Sequence, residues 1–517
     1  MANIARYTLL IDWQDNDWAS PFSDVTARVL DQRTPVTIRY GRDQARQLSP
    51  VAGGELACEL DNRSHDYSPE NTASPLAGYV TSGRRVSFKA TTSTTETVLY
   101  SGYIDDFDIK PGLNDQSVPV TCIDALSRLK GTSVTTPLYQ GIRTGDAVNY
   151  LLDEVGFPSD KRDIDPGASY LPFWWLDDTD AYDALMAILD SEGPAALATV
   201  DGQRNFVFRD RHHRLFYSAS LTAQATWYSS ALEPALSDPV TYNHGWKEIV
   251  NAVSVEVPQR TPDSAITDVW TSQGLLSVPA GTTATVIARS SDPFLGAITP
   301  VQDTDYTVLS GSATVTIGQT SGQSTVISIA AGGGTDAVLQ DLKLRATAIP
   351  STSVKVTVED ATSIAKYGRK AYNEGRLPVW CNTYDATAIL GLIVAQRAER
   401  LPTMQVTMRG AGSRLRLAQC LHRNLSDRVH ITESLTGIDA DFFIEQISHT
   451  IGQGGSEHVT TFGVEKIPPL VTNPFTFDVS GKGFDQGLFG GGSVDDPSTM
   501  FRFDVSGHGF DQGVFAN

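Results

Sequence analysis

The sequence is poor in cysteine and in long apolar runs, and each shortage excludes a class of protein. Its four cysteines, Cys58, Cys122, Cys381 and Cys420, are far apart and form no C-x-x-C pair, so neither a zinc knuckle nor a redox motif is encoded. All four lie among apolar residues, which predicts reduced side chains in a core. No apolar run approaches the ~18 residues that a membrane-spanning helix needs.

Basic residues are also scarce. The 517 residues include 40 Lys and Arg against 60 Asp and Glu, which gives a formal net charge of -20. A nucleic-acid-binding surface needs concentrated Lys and Arg, so this balance argues against one. Two interpretations of the acidity remain open. The acidic residues keep the protein in solution, or they line a passage whose walls repel phosphate, so that DNA can slide through it.

The familiar catalytic motifs are missing as well. The sequence contains no H-E-x-x-H, no G-x-S-x-G and no phosphate-binding loop that ends in Lys-Ser or Lys-Thr, which argues against the enzymes that use them. Cys420 has His422 nearby on a segment that we expect to be a strand, but a third group is not in view. We therefore favour a core cysteine beside a surface histidine and predict no catalytic residue.

Several polar clusters remain as weaker candidates. His212 and His213 could bind a metal only with a distant partner, and a charged strand end is the simpler interpretation. A glycosidase needs two carboxylates facing each other across a cleft, which a sequence cannot show. The carboxylate clusters in question are Asp105-Asp106, Asp160–Asp165 and Asp177-Asp178. Asp177 and Asp178 precede a predicted helix, so we expect them to serve its N-terminus. We predict no metal and no cofactor.

An aromatic triplet, Phe173-Trp174-Trp175, could form a platform on which a sugar stacks. Adjacent residues of a strand face opposite sides, so at least one Trp should pack inward. We favour packing in a core or an interface over a sugar platform. The Ser/Thr/Gly-rich β segment at 261–359 could bind carbohydrate, but a spacer or surface decoration is the preferred interpretation.

The periodicity of apolar residues predicts a mainly β protein with a smaller α+β part. Short alternating strands dominate both ends of the main body, and amphipathic helices occur between them. The length exceeds what one core supports. We divide the chain into an N-terminal β-barrel at 1–130, an α+β module at 131–240, a second β-barrel with helices at 241–260 and 360–467, an inserted β-sandwich at 261–359 and an extended tail at 468–517.

One internal similarity supports two related barrels. Arg85-Val86-Ser-Phe88 is followed, eighteen residues after Val86, by Ile104, and Arg428-Val429-His-Ile431 is followed, eighteen residues after Val429, by Ile447. In each case a loop joins two predicted strands. Short β patterns recur by chance, so the similarity allows the duplication without requiring it.

The C-terminal tail carries one fifteen-residue phrase twice. Residues 475–489 return as residues 501–515 with three differences, at the pairs 476/502, 482/508 and 488/514. The glycines make such a segment costly to order by itself, yet each copy keeps several phenylalanines. We predict that these fill pockets on a partner, with two docking events per chain: Phe475, Phe477, Phe484, Phe489, Phe501, Phe503, Phe510 and Phe515. The alternative is a disordered Gly-rich tail, and two separated copies are too few for calcium-binding β-roll repeats.

A set of short stretches at both ends of the main body has a recognisable pattern. These stretches include Tyr40-Gly-Arg-Asp43, Leu60-Asp-Asn62, Tyr67-Ser-Pro-Glu-Asn71, Tyr100-Ser-Gly-Tyr-Ile104, Thr121-Cys-Ile-Asp124, Tyr367-Gly368, Leu425-Ser-Asp-Arg-Val429 and Asp441-Phe-Phe-Ile-Glu445. With them the chain resembles minor tail proteins of long-tailed phages that infect actinobacteria. The resemblance covers roughly 1–130, 241–260 and 360–467, and its motifs are structural rather than catalytic.

The resemblance implies a structural hub at the tail tip or baseplate of the virion. In that family two barrels per subunit copy the tail-tube fold, and three subunits form a ring that joins a six-fold tube to a three-fold tip and lets DNA pass. The implied partners are two further copies of the chain, the distal tail protein, the tape-measure protein and receptor-binding or fibre proteins. No apolar signal region is present at the N-terminus, so we expect assembly in the host cytoplasm. The competing hypotheses are a peripheral receptor- or carbohydrate-binding tail protein and a cell-wall hydrolase.

Overall fold

The computed structural model describes residues 5–14, 22–42, 48, 51–93, 95–230, 232–238, 240–243, 245, 249–372 and 380–467. Strands account for 46% and helices for 16%, so the predicted mainly β class is confirmed. The eight docking phenylalanines predicted in the C-terminal repeats lie outside the described residues.

The N-terminal part forms eight strands. The longer strands form where apolar and polar residues alternate. In the strand that begins at Val36, Val36 and Ile38 are buried while Thr37 and Arg39 are exposed, as a strand with one face in the core requires. The strands are β1 (Arg6–Asp12), β2 (Ser23–Asp24), β3 (Val36–Arg42), β4 (Val51–Asp61), β5 (Arg85–Thr91), β6 (Glu96–Phe107), β7 (Lys110–Pro111) and β8 (Gln116–Ile123).

An α+β part follows, built around two helices that pack on each other. The elements are β9 (Ser133–Val134), β10 (Tyr139–Arg143), α1 (Thr144–Glu154), β11 (Arg162–Ile164), β12 (Tyr170–Trp174), β13 (Thr179–Asp180), α2 (Ala181–Glu192), β14 (Leu197–Val200), β15 (Phe206–Arg209), α3 (His213–Phe216) and α4 (Ser218–Leu221). Asp180 caps α2 by accepting hydrogen bonds from the backbone N–H groups of Tyr182 and Asp183. The helix therefore begins at Ala181, and its capping carboxylate is Asp180, not Asp177 or Asp178 as expected from the sequence.

The turn between β14 and β15 also differs from its prediction. The Asp201-Gly202 pair predicts a two-residue type I′ turn, but five residues, 201–205, join the strands. Asp201 accepts from the backbone N–H groups of Gln203 and Asn205, and Arg204 is the residue with positive φ. The side-chain acceptor of Asp201 stabilises the longer loop, which the dipeptide pattern alone does not reveal.

Two strands return to the main sheet before a long β insertion leaves it. They are β16 (Ala225–Tyr228) and β17 (Thr241–Asn243), and the insertion consists of β18 (Ala252–Arg260), β19 (Thr267–Thr271), β20 (Leu276–Val278), β21 (Thr283–Arg289), β22 (Phe294–Ile298), β23 (Thr307–Ser310), β24 (Ala313–Thr320), β25 (Ser324–Ala331), β26 (Ala337–Gln340), β27 (Lys343–Ala348) and β28 (Ser351–Glu359). Strands β18 and β28 pair antiparallel over nine residues, and β19 to β27 form three three-stranded sheets around one apolar core. The chain thus leaves and re-enters at neighbouring points.

The rest of the described chain completes the main sheet. Its elements are α5 (Ala361–Tyr367), α6 (Thr383–Arg397), β29 (Thr403–Arg409), α7 (Arg414–His422), β30 (Arg428–Glu433), β31 (Ile438–Gly452) and β32 (Glu457–Lys466). The predicted hairpin over 441–464 is confirmed as β31 and β32. The segment around Cys420, expected to be a strand, is instead the helix α7, which Ser413 caps by accepting from the N–H of Arg416.

The main sheet has fourteen strands and contains strands from both the first and the last part of the described chain. Its order is β17-β29-β32-β31-β3-β4-β8-β6-β5-β1-β2, with β30 and β16 attached beside β31 and with β7 beside β8. This path contains the same arrangement twice. The first half runs β3-β4-β8-β6-β5-β1 and the second runs β17-β29-β32-β31-β30-β16. In chain order both halves therefore place their six strands as 2-3-6-5-4-1.

The registers of the two halves also correspond. The β6 to β8 ladder has an irregularity between Ile104 and Asp106, and the β31 to β32 ladder has one between Ile444 and Gln446. One difference is that β1 lies antiparallel to β5, whereas β16 lies parallel to β30. The halves are thus the same arrangement with one outer strand reversed.

The eighteen-residue spacing seen in the sequence does not mark equivalent positions. Val86 pairs with Gly102, sixteen residues on, but Val429 pairs with Phe442, thirteen residues on. Because the first hairpin is three residues longer, the equivalent of Ile104 is Ile444 and not Ile447. The duplication is present in the sheet, and the spacing that suggested it was misaligned.

Candidate assembly site at the junction of the two sheet halves

The two halves meet where β3 pairs with the second part of β31. Six consecutive Cα pairs join them, from Val36 with Ile451 to Gly41 with Gln446. Gly41 has a φ of 110°, and a Cβ there would lie 2.4 Å from the backbone oxygen of Glu445. Only glycine therefore allows β3 to approach β31 this closely. Tyr40, between the two cores, packs against both.

Glu445 is the irregular residue of β31 and points into this junction. Its carboxylate is 2% exposed and accepts hydrogen bonds from Arg42 Nε at 3.0 Å and from two nitrogens of Arg214 at 2.6 and 3.1 Å. Arg214 also donates to the Ser426 hydroxyl at 2.9 Å, and its guanidinium lies 4.5 Å from the centre of the Phe443 ring. Arg42 donates to the Ala196 carbonyl at 2.6 Å. One carboxylate therefore links β31, β3 and the α+β part.

The electrostatics of this network decide whether Glu445 stays charged. Burial opposes ionisation, but the neighbouring charges of Arg214 and Arg42 outweigh it and lower the pKa of the Glu445 carboxyl below its ordinary value. Removing an ion from water costs several kcal/mol, and only close partners with good hydrogen bonds compensate for that cost. The network is therefore stable as a unit, and the loss of one member leaves the others buried without compensation.

A second polar cluster joins β1 to the β31–β32 hairpin. The Tyr7 hydroxyl lies 2.7 Å from His458 Nδ1, and His458 Nε2 lies 3.1 Å from His449 Nδ1. His449 and His458 are 1% and 2% exposed. Burial lowers the pKa of His458 to about 4, and burial with the neighbouring His458 lowers the pKa of His449 well below its ordinary value. Both rings are therefore neutral at neutral pH.

Helix α7 connects the two cores through its apolar face. Leu417 and Leu421 belong to the core of the first half, whereas Cys420 belongs to the core of the second. Residues three and four apart share one side of a helix, so this one helix packs into both cores. The junction therefore combines strand pairing, a buried ion network, a histidine pair and a shared helix.

The sheet remains open at the outer strand of the second half. Among the described residues, β17 pairs with β29 alone, and all three of its residues are exposed. In the same part of the chain, the segment Asp106–Lys110 pairs with β8 on one side and with no strand on the other. Each half of the described sheet thus carries an unpaired strand edge, at Asp106–Lys110 in the first half and at β17 in the second.

The predicted core cysteines are confirmed. Cys58, Cys122, Cys381 and Cys420 are all buried and free, and burial raises the pKa of the Cys58 and Cys381 thiols to about 12 and that of Cys420 to about 11. Because α7 is helical, His422 faces away from Cys420 and is exposed. Cys420 donates instead to the Met408 carbonyl, 3.7 Å away, so the two residues are a core cysteine and a surface histidine.

The other polar candidates form ion pairs and hydrogen bonds. His213 Nδ1 lies 2.9 Å from Asp165, which also pairs with Arg209. Asp177 pairs with Arg289, and Asp178 accepts from Ser133. Asp105 and Asp106 are exposed on β6. Among the residues that the structure describes, no three His, Cys, Asp or Glu side chains are placed to hold a metal.

The aromatic triplet packs inward, as predicted for at least one Trp. Trp174 is fully buried in the α+β core and Trp175 is 6% exposed. Trp175 donates to Gln323 of the insertion at 3.1 Å and meets Trp380 edge to face. Trp175 therefore contributes to the contact between the α+β part and the insertion, as the Asp177–Arg289 ion pair does.

A cavity of about 290 Å³ opens beside the N-terminus of α6. Tyr170 and Tyr384, which are 48% and 52% exposed, stand at its edge. Arg143, His212 and Asp385 also line it, and Asp385 accepts from the backbone N–H of Tyr170 at 3.1 Å. Sequence reasoning did not predict this cavity, because its residues come from four separate segments.

No helix in the described ranges is long and apolar enough to cross a membrane. No protein-family model matches this chain, and no curated protein matches it either.

Several solved structures are similar in fold at low identity. A tail protein from Neisseria meningitidis MC58 is 11% identical with a TM-score of 0.46, over 89% of this chain and 96% of that one. The 43 kDa tail protein of prophage MuSo2 from Shewanella oneidensis is 11% identical with a TM-score of 0.45, over 89% and 98%. A prophage tail protein from Listeria monocytogenes EGD-e is 9% identical with a TM-score of 0.39, over 89% and 94%.

The ion network yields a first prediction. Glu445→Gln leaves two buried guanidinium groups without their anion, so we expect the free energy of unfolding to fall by about 3–5 kcal/mol, measured by urea denaturation at neutral pH. Glu399→Gln is the matched control, because the ion pair of Glu399 with Lys366 and the hydrogen bond that it accepts from the Tyr367 hydroxyl are both exposed, so the loss of its charge should change stability little. Equal stability of the two variants would contradict a structural role for the network.

The histidine pair yields a second prediction. A histidine whose pKa is lowered on folding takes up a proton on unfolding. Its contribution to the free energy of unfolding is therefore complete above about pH 6.5 and is lost as the pH falls toward 4. We expect the protonation of His458 alone to lower the free energy of unfolding by about 2 kcal/mol between pH 7.5 and pH 5. The measurement is the urea midpoint at both pH values for the wild type and for His458→Gln. A pH slope that is unchanged in the variant would show that His458 does not titrate in this way.

Proposed function

We propose that this protein is a structural hub of a phage tail tip, in which three copies form a ring around a central passage. The observation that carries the proposal is the repeated half-sheet: one chain contains the same six-strand order twice, in corresponding registers and in one continuous sheet. The sequence resemblance to minor tail proteins supports the same function, because such proteins are expected to carry two tube-like units each.

The duplication gives a physical reason for a ring of this kind. Three chains with two similar units each place six similar units around a three-fold axis. One side of such a ring matches a six-fold tube, and the other side matches a three-fold tip. The contact between copies repeats head to tail, and rotation about the axis closes it. We further propose that each half of the sheet is one tube-like barrel wall and that the 131–240 and 261–359 segments are attached modules.

The charge of the chain supports passage of DNA without binding. A net charge of -20 per copy repels phosphate, so a duplex in the passage would not adhere to its wall. The proposed role is geometric and not enzymatic: it joins tube to tip and closes or opens the passage. We place the protein at the distal end of the tail in the virion after assembly in the host cytoplasm.

The C-terminal repeats are proposed as anchors for other tail-tip proteins. The near identity of residues 475–489 and 501–515 supports two equivalent contacts, because a tail without a binding role has no need to keep the same phenylalanines twice. The partners would be distal tail, tape-measure, receptor-binding or fibre proteins.

A peripheral carbohydrate-binding protein is the second candidate. The cavity beside α6 favours it, because two partly exposed tyrosines, Tyr170 and Tyr384, flank charged groups there, and sugars are held by aromatic faces and polar partners. Glycan-array binding by the purified protein, together with a position on the outside of the tail, would favour this alternative over the hub.

The ring proposal predicts the mass of the purified protein. The monomer has a mass of 55.8 kDa, and we expect light scattering after size-exclusion chromatography to give three times that value. End views of the purified protein in the electron microscope should show a closed ring with a central opening. A monomer at every soluble concentration, and a lone copy away from the tail axis in intact particles, would contradict the proposal.

The repeats predict the stoichiometry of a docked component. Deleting 490–517 removes one copy of the phrase, so tails should keep about half of one distal component, and deleting 471–517 should remove that component while the ring still forms. Quantitative mass spectrometry of purified tails measures both. Lys482→His is the matched control, because position 508 already carries His in the second copy. Tails that retain every component after the full deletion would refute docking.

A further inference from the structure

We infer that neighbouring copies of this chain join by adding β17 of one copy to the free edge of Asp106–Lys110 in the next, antiparallel and in a defined register. Thr241 would face Lys110, Tyr242 would face Ile109 and Asn243 would face Asp108. This inference rests on the proposed ring and names the strands and residues that close it.

The first step is to match residues across the two halves. Each half contains a lateral row of paired residues that crosses four strands. In the first half the row is Thr37, Ala57, Thr121 and Asp106. In the second half it is Thr241, Gln405, Gly463 and Gln446. Because each step is a paired position, the rows place Thr241 at the position of Thr37, and Gln446 at that of Asp106.

The second step extends the match along the outer strand. Lys110 pairs with Ser117, four residues beyond the Asp106–Thr121 pair on both strands. Thr450 pairs with Val459, four residues beyond the Gln446–Gly463 pair on both strands. The register is therefore kept, and Lys110 occupies the position of Thr450.

The third step uses the junction inside the chain as the template. There Thr37 faces Thr450, Ile38 faces His449 and Arg39 faces Ser448. The equivalent strands are β17 for β3, and Asp106–Lys110 for the second part of β31. Replacing each residue by its equivalent gives the register stated above.

Both edges are available in the single chain. All three residues of β17 are exposed, and Tyr242 is 40% exposed. Asp106 and Asp108 are exposed and Ile109 is half-buried. An unpaired strand edge presents a row of N–H and C=O groups that another strand can satisfy. The Thr-Tyr-Asn sequence of β17 brings no acidic side chain against the acidic edge of its neighbour, so the pairing adds no like-charge contact.

The two edges cannot satisfy each other within one chain through the described sheet. β17 begins the strand path, and six strands separate it from β6. Each copy therefore offers one edge of each kind, and a head-to-tail contact between copies uses both. If three copies join in this way, the edges of β17 and of Asp106–Lys110 are paired in every copy, and the strands between these two edges form a closed wall.

Engineered disulfides test the register. The pairs Thr241→Cys with Lys110→Cys and Tyr242→Cys with Ile109→Cys are adjacent, and neighbouring antiparallel pairs alternate between the wide and the narrow spacing, so one of them suits a disulfide. After mild oxidation of the full-length protein, we expect covalent dimers and trimers on a non-reducing gel for at least one pair. The native cysteines are all buried, so the background should be low.

Two variants control the experiment. Thr37→Cys with Thr450→Cys is the equivalent pair inside the chain, and it should form an intramolecular disulfide that shifts the mobility of the monomer. Thr241→Cys with Asp106→Cys is out of register by four residues, or about 13 Å, and should remain uncrosslinked.

The outcomes separate this inference from the ring itself. A trimer by mass in which both in-register pairs fail, while the intrachain control forms, overturns the register and leaves the ring in place. Crosslinking of the out-of-register pair as strongly as the in-register pairs also overturns it. A protein that stays monomeric without any crosslink overturns both the ring and this contact.

Discussion

The structure depends on the pairing of β3 with β31 over a buried carboxylate. This contact joins residues about 400 positions apart in the chain, and without it the main sheet would divide into a part of eight strands and a part of six. The irregular position at Glu445 turns a charged side chain inward, and Arg42 and Arg214 make that burial tolerable. Glycine at position 41 lets the two strands approach. The halves are therefore held in one relative position by polar groups as well as by apolar packing.

The insertions are compatible with this sheet because of where they leave it. The α+β part enters between β8 and β16, and the long β insertion enters between β17 and β29. β18 and β28 pair along their whole length, so the insertion leaves and returns at one point, and its three small sheets have a core of their own. The six-strand order of the second half is therefore preserved although more than a hundred residues interrupt it.

Local patterns in the sequence predict individual strands well and their relations poorly. The β31–β32 hairpin and the alternation of β3 follow from apolar periodicity. In Arg414-Leu-Arg-Leu417 the same alternation suggests a strand, but Ser413 caps a helix there, and packing of Leu417 and Leu421 into the first core stabilises it. The duplication is visible as a short similarity, yet hairpins of different length misplace its equivalent residues. The ion network could have been suspected from a lone Glu in Phe442-Phe-Ile-Glu-Gln-Ile447, but no local pattern indicates that its partners are Arg42 and Arg214.

Similar halves in one chain create a problem of specificity that the polar junction helps to solve. If β3 and β17 are equivalent strands, and β6 and β31 are equivalent partners, wrong pairings compete with correct ones during folding. The equivalent of Glu445 in β6 is Asp105, which is one methylene shorter and is exposed in the single chain. Only β31 therefore offers a carboxylate long enough to reach Arg42 and Arg214 in the observed arrangement. A buried ion pair contributes little net stability, but a strand pairing that leaves one of its charges buried and unpaired is destabilised. The difference in free energy between the correct and the wrong pairing therefore favours pairing of β3 with β31 within the chain.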